Sequence, residues 1–244
     1  GFYAFAKTAF ESITIPSSII KIDENSFFYC KNLKSVSFES NSKLSLIENK
    51  AFCNCSLVKI SIPSTVTKIG VGCFDFCKKL QSVNFSFHSK LEIIDKHAFD
   101  STIISKIHIP SSVKKIKADA FSYCECLKTV SFGHNSQLES IGKHAFEQCS
   151  LEKISIPENV KIIKEYAFYQ NNNLKSVHFE GNLNQCSIML RVFSCTSVEV
   201  LSFGSSIIEL NKGWCCSTKK LTKIIVSPEN KRFSYVDDKY LLYK

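Results

Sequence analysis

The chain has 244 residues, 44% of them hydrophobic and 22% charged, a globular composition with enough apolar material for a sizeable core. No apolar run approaches the roughly 18 to 20 residues of a membrane helix, so we predict no membrane span in this fragment. The net charge is +9, but the lysines are spread along the whole chain, which favours a solvated surface and acidic partners over nucleic acid.

An interval of 47 residues runs through the chain and is marked by Pro16, Pro63, Pro110 and Pro157. The true unit is half as long, because apolar anchors of the form L-x-x-I/V-x-I/F recur at alternating steps of 23 and 24 residues. The last two anchors of each unit enclose one polar residue, which is the pattern of a half-buried strand. Ten strands are therefore predicted, with the anchor pairs Ile13 and Ile15, Val36 and Phe38, Ile60 and Ile62, Val83 and Phe85, Ile107 and Ile109, Val130 and Phe132, Ile154 and Ile156, Val177 and Phe179, Leu201 and Phe203, and Ile224 and Val226.

One such strand cannot bury its apolar side alone, whereas stacked units bury all the anchors in a continuous core. The unit length also falls in the leucine-rich repeat range of about 20 to 29 residues. We therefore predict a repeat solenoid, a right-handed leucine-rich repeat coil with one long parallel β-sheet on the concave face. The other wall should contain short extended and 3₁₀ segments, with little α-helix.

Most units also contain an Ala-Phe pair, and many have a Cys three residues after the Phe, as in "AFSYC" at positions 120–124. Together with the Ile-Pro steps, these phased motifs resemble the BspA-like, or treponemal-type, class of leucine-rich repeat. Members of that family are known mainly as surface-exposed or secreted proteins of bacteria and protist parasites, many implicated in adhesion. The resemblance implies a cell-surface or extracellular adhesion module. The pattern also starts in mid-unit, which indicates a fragment of a longer protein.

The resemblance weakens after Phe179, where Gly204 replaces the expected proline and Trp214-Cys215 replaces Ala-Phe. We predict a leucine-rich repeat array over residues 1–226, built on the 47-residue double repeat. Residues 227–244 resemble the hairpin-like segment with which such proteins end or punctuate an array, with a turn at Asp237-Asp238. A repeat array needs a polar terminal cap, and this segment is the candidate for it.

Twelve cysteines allow three interpretations: disulfides, a metal site or catalysis. The slot three residues after the Phe accepts Thr102 and Asn171 as readily as cysteine, which favours small buried thiols that hydrogen-bond to the backbone. Disulfides between neighbouring coils stay geometrically open, as does a vicinal bond between Cys215 and Cys216. Zinc is disfavoured because the paired C-x₂-C spacing is missing, so no metal and no cofactor is predicted. Five thiols occupy the slot: Cys30, Cys55, Cys77, Cys124 and Cys149.

The histidines separate by their phase in the repeat. His97 and His144 precede Ala-Phe and are predicted to lie in exposed turns, whereas His108 and His178 point outward from the sheet. The latter two are three strands apart, about 14 Å, which is too far to share a ligand or a proton. No catalytic constellation and no glycine-rich phosphate loop is present, so we predict no enzyme activity.

The outward side chains of the sheet are the candidate binding surface, since a solenoid offers an extended concave face. Lysines recur there on alternate strands among hydroxyl groups, and few aromatic residues are available to stack with bases. One interpretation is that lysine merely protects the sheet from aggregation. The other is a cationic groove for an acidic protein segment or an anionic glycan, formed by Lys59, Lys106, His108, Ser131, Lys153, Ser155 and His178.

Two glycosylation acceptor sequons occur, at Asn54 and Asn84, although such triplets arise often by chance. The function that we predict is a non-enzymatic adhesion or binding module that recognises a protein or anionic glycan, for example of host matrix or a cell surface. The alternative is an intracellular, cytoplasmic scaffold of the same fold for protein–protein interaction, in which many reduced thiols would be unremarkable.

Overall fold

The chain is a β-solenoid in a computed structural model that describes residues 1–181, 185–205, 207–230, 233–236 and 240–243. All ten predicted strands are present, each four residues long, and none of the described residues forms a helix that could cross a membrane. These ten strands are β1 (Ser12–Ile15), β3 (Ser35–Phe38), β5 (Lys59–Ile62), β7 (Ser82–Phe85), β9 (Lys106–Ile109), β11 (Thr129–Phe132), β13 (Lys153–Ile156), β15 (Ser176–Phe179), β17 (Val200–Phe203) and β19 (Lys223–Val226).

A second set of strands alternates with the first and forms a parallel nine-stranded sheet, the second wall. Most of its strands have only two residues, because each unit has few residues left after the turns. The predicted repeat solenoid is confirmed, and this wall is more regular than the expected 3₁₀ segments. Its strands are β2 (Lys21–Ile22), β4 (Leu46–Ile47), β6 (Lys68–Ile69), β8 (Ile93–Ile94), β10 (Lys115–Ile116), β12 (Ser140–Ile141), β14 (Ile162–Ile163), β16 (Gln185–Ile188) and β18 (Ile207–Leu210).

The ten long strands are parallel, but their hydrogen-bond ladder divides into three sheets: β1 to β7, β9 with β11, and β13 to β19. Both interruptions precede a strand that is followed by proline. After β11 the N–H of Gly133 donates to the carbonyl of Ile109 on the preceding coil. Pro110 and Pro157 occupy the equivalent position after β9 and β13, and they have no N–H to donate. The single long sheet of the sequence prediction is therefore interrupted before Pro110 and Pro157. Before Pro63 the pairing of β3 with β5 is reduced to Ser35 with Lys59, whereas Gly204 leaves the pairing of β15 with β17 complete.

The core is organised by one stack of phenylalanine rings, the Phe ladder. Neighbouring rings lie 5.1 to 5.5 Å apart between centroids and within 16° of parallel. Trp214 ends the ladder edge-on, with its ring 6.2 Å from that of Phe193. Each coil thus buries one aromatic side chain against both neighbours, which a single unit could not do. The ladder consists of Phe5, Phe27, Phe52, Phe74, Phe99, Phe121, Phe146, Phe168 and Phe193.

The cysteine slot lies directly beside this ladder. The thiol of Cys77 donates to the carbonyl of Phe52 on the preceding coil at 3.0 Å, and Cys149 donates to that of Phe121 at 3.2 Å. Asn171 makes the equivalent bond to Phe146 at 2.7 Å. All twelve cysteines are free thiols, and the slot selects a small buried donor, as its exchange with threonine and asparagine indicates.

The third side of each coil, the turn wall, leads from the second wall into the next long strand. Its backbone ladder joins neighbouring coils, for example from the N–H of Phe74 to the carbonyl of Ala98 at 2.8 Å. Two positions in each coil have positive φ, two residues before and two residues after the ladder Phe. The later position holds Tyr29, Asn54, Phe76, Ser101, Tyr123, Gln148 and Gln170, with φ between 51° and 62°.

The C-terminal segment contains β20 (Phe233–Val236) and β21 (Tyr240–Tyr243), which pair antiparallel. Phe233 is 2% exposed and its ring lies 5.8 Å from that of Phe203. The turn predicted at Asp237-Asp238 lies outside the described residues. The capping role of residues 227–244 stays a prediction.

Candidate functional site

The outward side chains of the ten long strands form the candidate site, called here the long-strand face. Inward anchors are mostly buried in these strands and the residues between them are mostly exposed, as in β5, β9 and β13. Register follows the repeat, so equivalent residues stand side by side: Lys59 pairs with Ser82 and Lys153 with Ser176. Two rows of outward residues therefore run along the solenoid axis.

The first row contains the three predicted lysines, Lys59, Lys106 and Lys153, and all three are exposed. None of them has a carboxylate partner among the described residues. Because adjacent strands of a sheet are about 4.8 Å apart, lysines on every second strand place their backbone positions about 10 Å from each other. This face carries positive charge that the protein itself does not neutralise.

The lysines of the second wall behave differently. Asp95, which is only 3% exposed, receives Lys68 at 3.2 Å and Lys117 at 3.0 Å. Burial alone would raise the pKa of Asp95, but the N–H of Lys96 and the two ammonium groups outweigh it and hold that pKa below its usual value. Paired lysines on this wall are Lys21, Lys68, Lys114, Lys117 and Lys161, at 2.8 to 3.2 Å.

The second row of the long-strand face supplies hydroxyl and imidazole groups. His108 Nδ1 lies 2.9 Å from the hydroxyl of Ser131 on the neighbouring strand. Ser155 stands beside His178 in the register of β13 and β15, and both are exposed. The four predicted residues of this row thus fall into two groups, which lie on either side of the ladder break between β11 and β13.

Two grooves open on this face, one in each half of the array. The first, about 960 Å³, is lined by β3, β5 and β7 and includes Lys59, Ser61 and Asn84. The second, about 800 Å³, is lined by β11, β13 and β15 and includes Ser131, Lys153, Ser155 and His178. Lys59 and Lys153 are 94 residues apart, so the grooves are two copies of one arrangement. The sequence indicated the lysines by phase but not the grooves, which the turns after each strand create.

The two sequons lie in different surroundings. Asn54 is half-buried on the turn wall with φ of 59°, and the Cys55 that follows it is buried. Asn84 is exposed on the long-strand face and lines the first groove. Glycosylation at either asparagine stays a prediction.

His97 and His144 lie in the turns of the turn wall, as their phase indicated, but both are half-buried and not fully exposed. His97 Nδ1 lies 3.0 Å from Asp100 Oδ2, and His144 is close to Glu147 and stacks on Tyr166. Among the residues that the structure describes, no group of three or more His, Cys, Asp or Glu side chains could hold a metal ion.

The repeat pattern, the Phe ladder and the parallel sheets point to one family. A sequence model described as "BspA type Leucine rich repeat region (6 copies)" matches residues 1–128 and 123–236. The chain belongs to the BspA-type leucine-rich repeat family. No curated protein matches it.

Solved structures agree with this BspA-type fold. The pneumococcal vaccine antigen PcpA is 25% identical, with a TM-score of 0.59 over 91% of this chain. A leucine-rich repeat protein from Bacteroides ovatus is 22% identical, with a TM-score of 0.70 over 93% of this chain, and supports the fold alone. The chain spans 63% of the length of each of these two proteins.

Proposed function

We propose that this chain is a non-enzymatic adhesion module, exposed at a cell surface or secreted, that binds an acidic segment of a protein through the long-strand face. The observation that carries the proposal is the row of unpaired lysines, Lys59, Lys106 and Lys153, beside two grooves of repeated design. Lysines of the second wall such as Lys68 and Lys117 are neutralised by carboxylates at about 3 Å, whereas the charge of these three lysines is available to a partner.

The chemistry of the face favours an acidic protein over a glycan. Serine and threonine hydroxyls flank the lysines and can donate to carboxylates, and His108 and His178 add positive charge when protonated. The outward positions of β5, β9 and β13 hold lysine, serine and the imidazole of His108, but no phenyl, phenol or indole ring on which a sugar could stack. Likeness to a vaccine antigen, which is 25% identical, supports exposure to a host.

The test replaces Lys59, Lys106 and Lys153 with glutamate. We expect binding to solubilised host matrix and to a Glu-rich peptide to fall by at least about tenfold at about 50 mM salt, and less at about 300 mM, where charges are screened. Surface plasmon resonance at both salt concentrations measures this. Anionic glycans without protein serve as a separate probe.

A matched control carries Lys96→Glu, Lys143→Glu and Lys164→Glu, three exposed lysines of the turn wall without an ion pair. This control changes the net charge equally but leaves the long-strand face intact, and it should keep the wild-type affinity for the peptide. Equal loss in both variants, or no loss in the first, would refute binding through this face.

A second candidate function is an intracellular scaffold for protein–protein interaction, and the twelve free thiols favour it. Counting thiols on protein purified from its native source under non-reducing, alkylating conditions separates the two. Twelve free thiols on protein taken from cell lysate support the scaffold, whereas recovery of the protein from the medium or the intact cell surface supports the adhesion module.

A further inference from the structure

Three aromatic side chains are exposed in a line along one corner of the solenoid, where the turn wall leads into the long strands. Tyr29, Phe76 and Tyr123 follow each other at intervals of 47 residues and are 39%, 43% and 46% exposed. All three occupy the same position, two residues after a ladder Phe. They are called here the aromatic ridge, which is separate from the long-strand face.

The backbone conformation makes aromatic residues energetically unfavourable at this position. Their φ angles are 62°, 54° and 55°, in the left-handed region that bulky side chains disfavour. Coils between them place Asn54 and Ser101 at the same position, and asparagine tolerates this conformation well. Stability alone would favour asparagine or glycine in every coil. Rings that are half-exposed add little to the core, so their recurrence indicates a role at the surface.

The spacing of the rings fits a linear polysaccharide. One coil advances the structure by about 5 Å, so rings on every second coil are about 10 Å apart. A β-linked pyranose chain also advances by roughly 5 Å per sugar, and its C–H faces pack on aromatic rings as other apolar groups do. Every second sugar would then meet a ring, while Asn54 and Ser101 lie level with the sugars between and can bond their hydroxyls.

A lysine ammonium group lies beside each of the first two rings of the ridge. The ammonium of Lys31 lies 4.4 Å from the ring centroid of Tyr29, and that of Lys78 lies 5.9 Å from the centroid of Phe76. Both lysines follow their ring by two residues, and Glu125 occupies this place after Tyr123. Cations therefore lie two coils apart at the first two rings, a separation that matches a polymer with one acidic sugar in each two-sugar repeat.

We propose that the aromatic ridge binds an acidic, β-linked linear polysaccharide with a two-sugar repeat, with acidic sugars lying beside Lys31 at the ring of Tyr29 and beside Lys78 at the ring of Phe76. The contact from Tyr29 to Tyr123 spans four coils, so about five to six sugars fill it. Binding should thus strengthen with chain length up to this size and then level off for each site.

Isothermal titration with hyaluronan oligosaccharides of two, four, six and eight sugars tests the spacing. We expect no measurable binding of the disaccharide and a plateau from the hexasaccharide onward. The variant Tyr29→Asn, Phe76→Asn and Tyr123→Asn, which copies Asn54, should lose at least about tenfold in affinity for the hexasaccharide, since each ring contributes a contact of modest strength. Its unfolding midpoint in urea should equal or exceed that of the wild type, because asparagine relieves the backbone strain.

Two further variants separate the ridge from its surroundings. Phe87→Asn removes a ring that is 97% exposed but lies off the ridge, and it should bind as the wild type does. Glu125→Lys supplies the missing third cation and should strengthen hexasaccharide binding severalfold, an effect that a merely structural role would not produce. The glutamate variant of Lys59, Lys106 and Lys153 should leave hexasaccharide binding intact, so this result stands apart from the outcome for the long-strand face.

The proposal is overturned if no hyaluronan oligosaccharide binds, if the asparagine variant binds as tightly as the wild type, or if the disaccharide binds as well as the hexasaccharide. A neutral chito-oligosaccharide of six sugars is the control ligand, because it matches the hyaluronan hexasaccharide in length but has no acidic sugar. Weaker binding of this ligand supports the role of Lys31 and Lys78, and equal binding overturns the acidic specificity.

Discussion

Asp75 lies in an environment that is unfavourable for a carboxylate. Its Oδ1 is buried and has no hydrogen-bond partner among the described residues, and Asp100 occupies the same position in the next coil. Burial, and after it the charge of Asp100, raises the pKa of Asp75 to about 6, although His97 and Lys50 partly offset this. The chain therefore keeps a carboxylate where its charge is disfavoured.

Replacing Asp75 with asparagine should stabilise the protein at pH 7, by on the order of 1 kcal/mol once partial solvent exposure is allowed for. Between the ordinary pKa of about 3.9 and the raised value, the folded state binds more protons than the unfolded state. Wild-type stability thus falls as the pH rises from about 4 to 7, and the advantage of asparagine grows over the same range. Urea unfolding of both proteins at pH 4 and pH 7 measures it, and an equal difference at both values would contradict the prediction.

At the scale of single residues, the sequence predicts which residue types a repeat position accepts, but it does not predict how deeply a particular side chain is buried. The exchange of cysteine with threonine and asparagine was enough to predict a small buried donor, and Cys77, Cys149 and Asn171 all bond to a Phe carbonyl. The repeat also places Asp75 beside Asp100, since the two residues occupy the same position in neighbouring coils. Burial of the Oδ1 of Asp75 depends on how the local side chains pack, which the repeat pattern does not contain.

Among the elements, the Phe ladder links coils most directly. Phe99 is fully buried and stacks on Phe74 and Phe121 at 5.2 Å each, whereas Phe5 has a ladder neighbour on one side only and is 41% exposed. Nearest-neighbour packing of this kind makes the cost of losing a ring depend on its place in the array.

We expect Phe99→Ala to destabilise the protein by about 3 to 5 kcal/mol, because it leaves a cavity between two rings that cannot close it. Phe5→Ala removes a ring that packs on one side and remains partly in water, so it should cost about 1 kcal/mol or less. Free energies of unfolding from urea titration give both values. Similar costs at both positions would show that the ladder does not act as a stack of neighbour contacts.

The division of the long-strand sheet also belongs to the element scale. The positions of Pro110 and Pro157 were visible in the sequence, and each removes an N–H that Gly133 supplies in the alternate coil. The interruption was predictable only once the phase showed that this N–H reaches back to the preceding coil. Strand periodicity alone predicts a continuous sheet, because it describes side chains and not backbone donors.

For the whole molecule, the repeat predicts which side chains share a surface but not which of the charged ones form ion pairs. Lys59, Lys106 and Lys153 could be assigned to the long-strand face from phase. These lysines stay unpaired, whereas Lys68 and Lys117 share Asp95. The difference follows from the three-dimensional placement of acidic residues on the second wall. The aromatic ridge was equally present in the sequence, but its exposure and positive φ angles became visible only with the turns folded.

The first coil exposes several large apolar side chains. Phe2, Phe10 and Ile20 are 64%, 44% and 61% exposed there, and the ring of Phe10 lies 5.9 Å from that of Phe5, which begins the ladder. Among the described strands β1 pairs only with β3, so in the isolated 244-residue chain the outer edge of β1 has no strand partner. Exposed strand edges beside apolar surface promote association.

We therefore expect this 244-residue chain to associate reversibly as its concentration rises from about 5 µM to about 200 µM, with first-coil faces in contact. Phe2→Lys, Phe10→Lys and Ile20→Lys together should abolish association, because three charges would have to be desolvated in the contact. Phe87→Lys, which adds a charge at an exposed ring away from this end, should leave association unchanged. Sedimentation velocity measures all three proteins. A wild-type monomer at every concentration, or equal association of the triple variant, would mean that the apolar end does not drive self-contact.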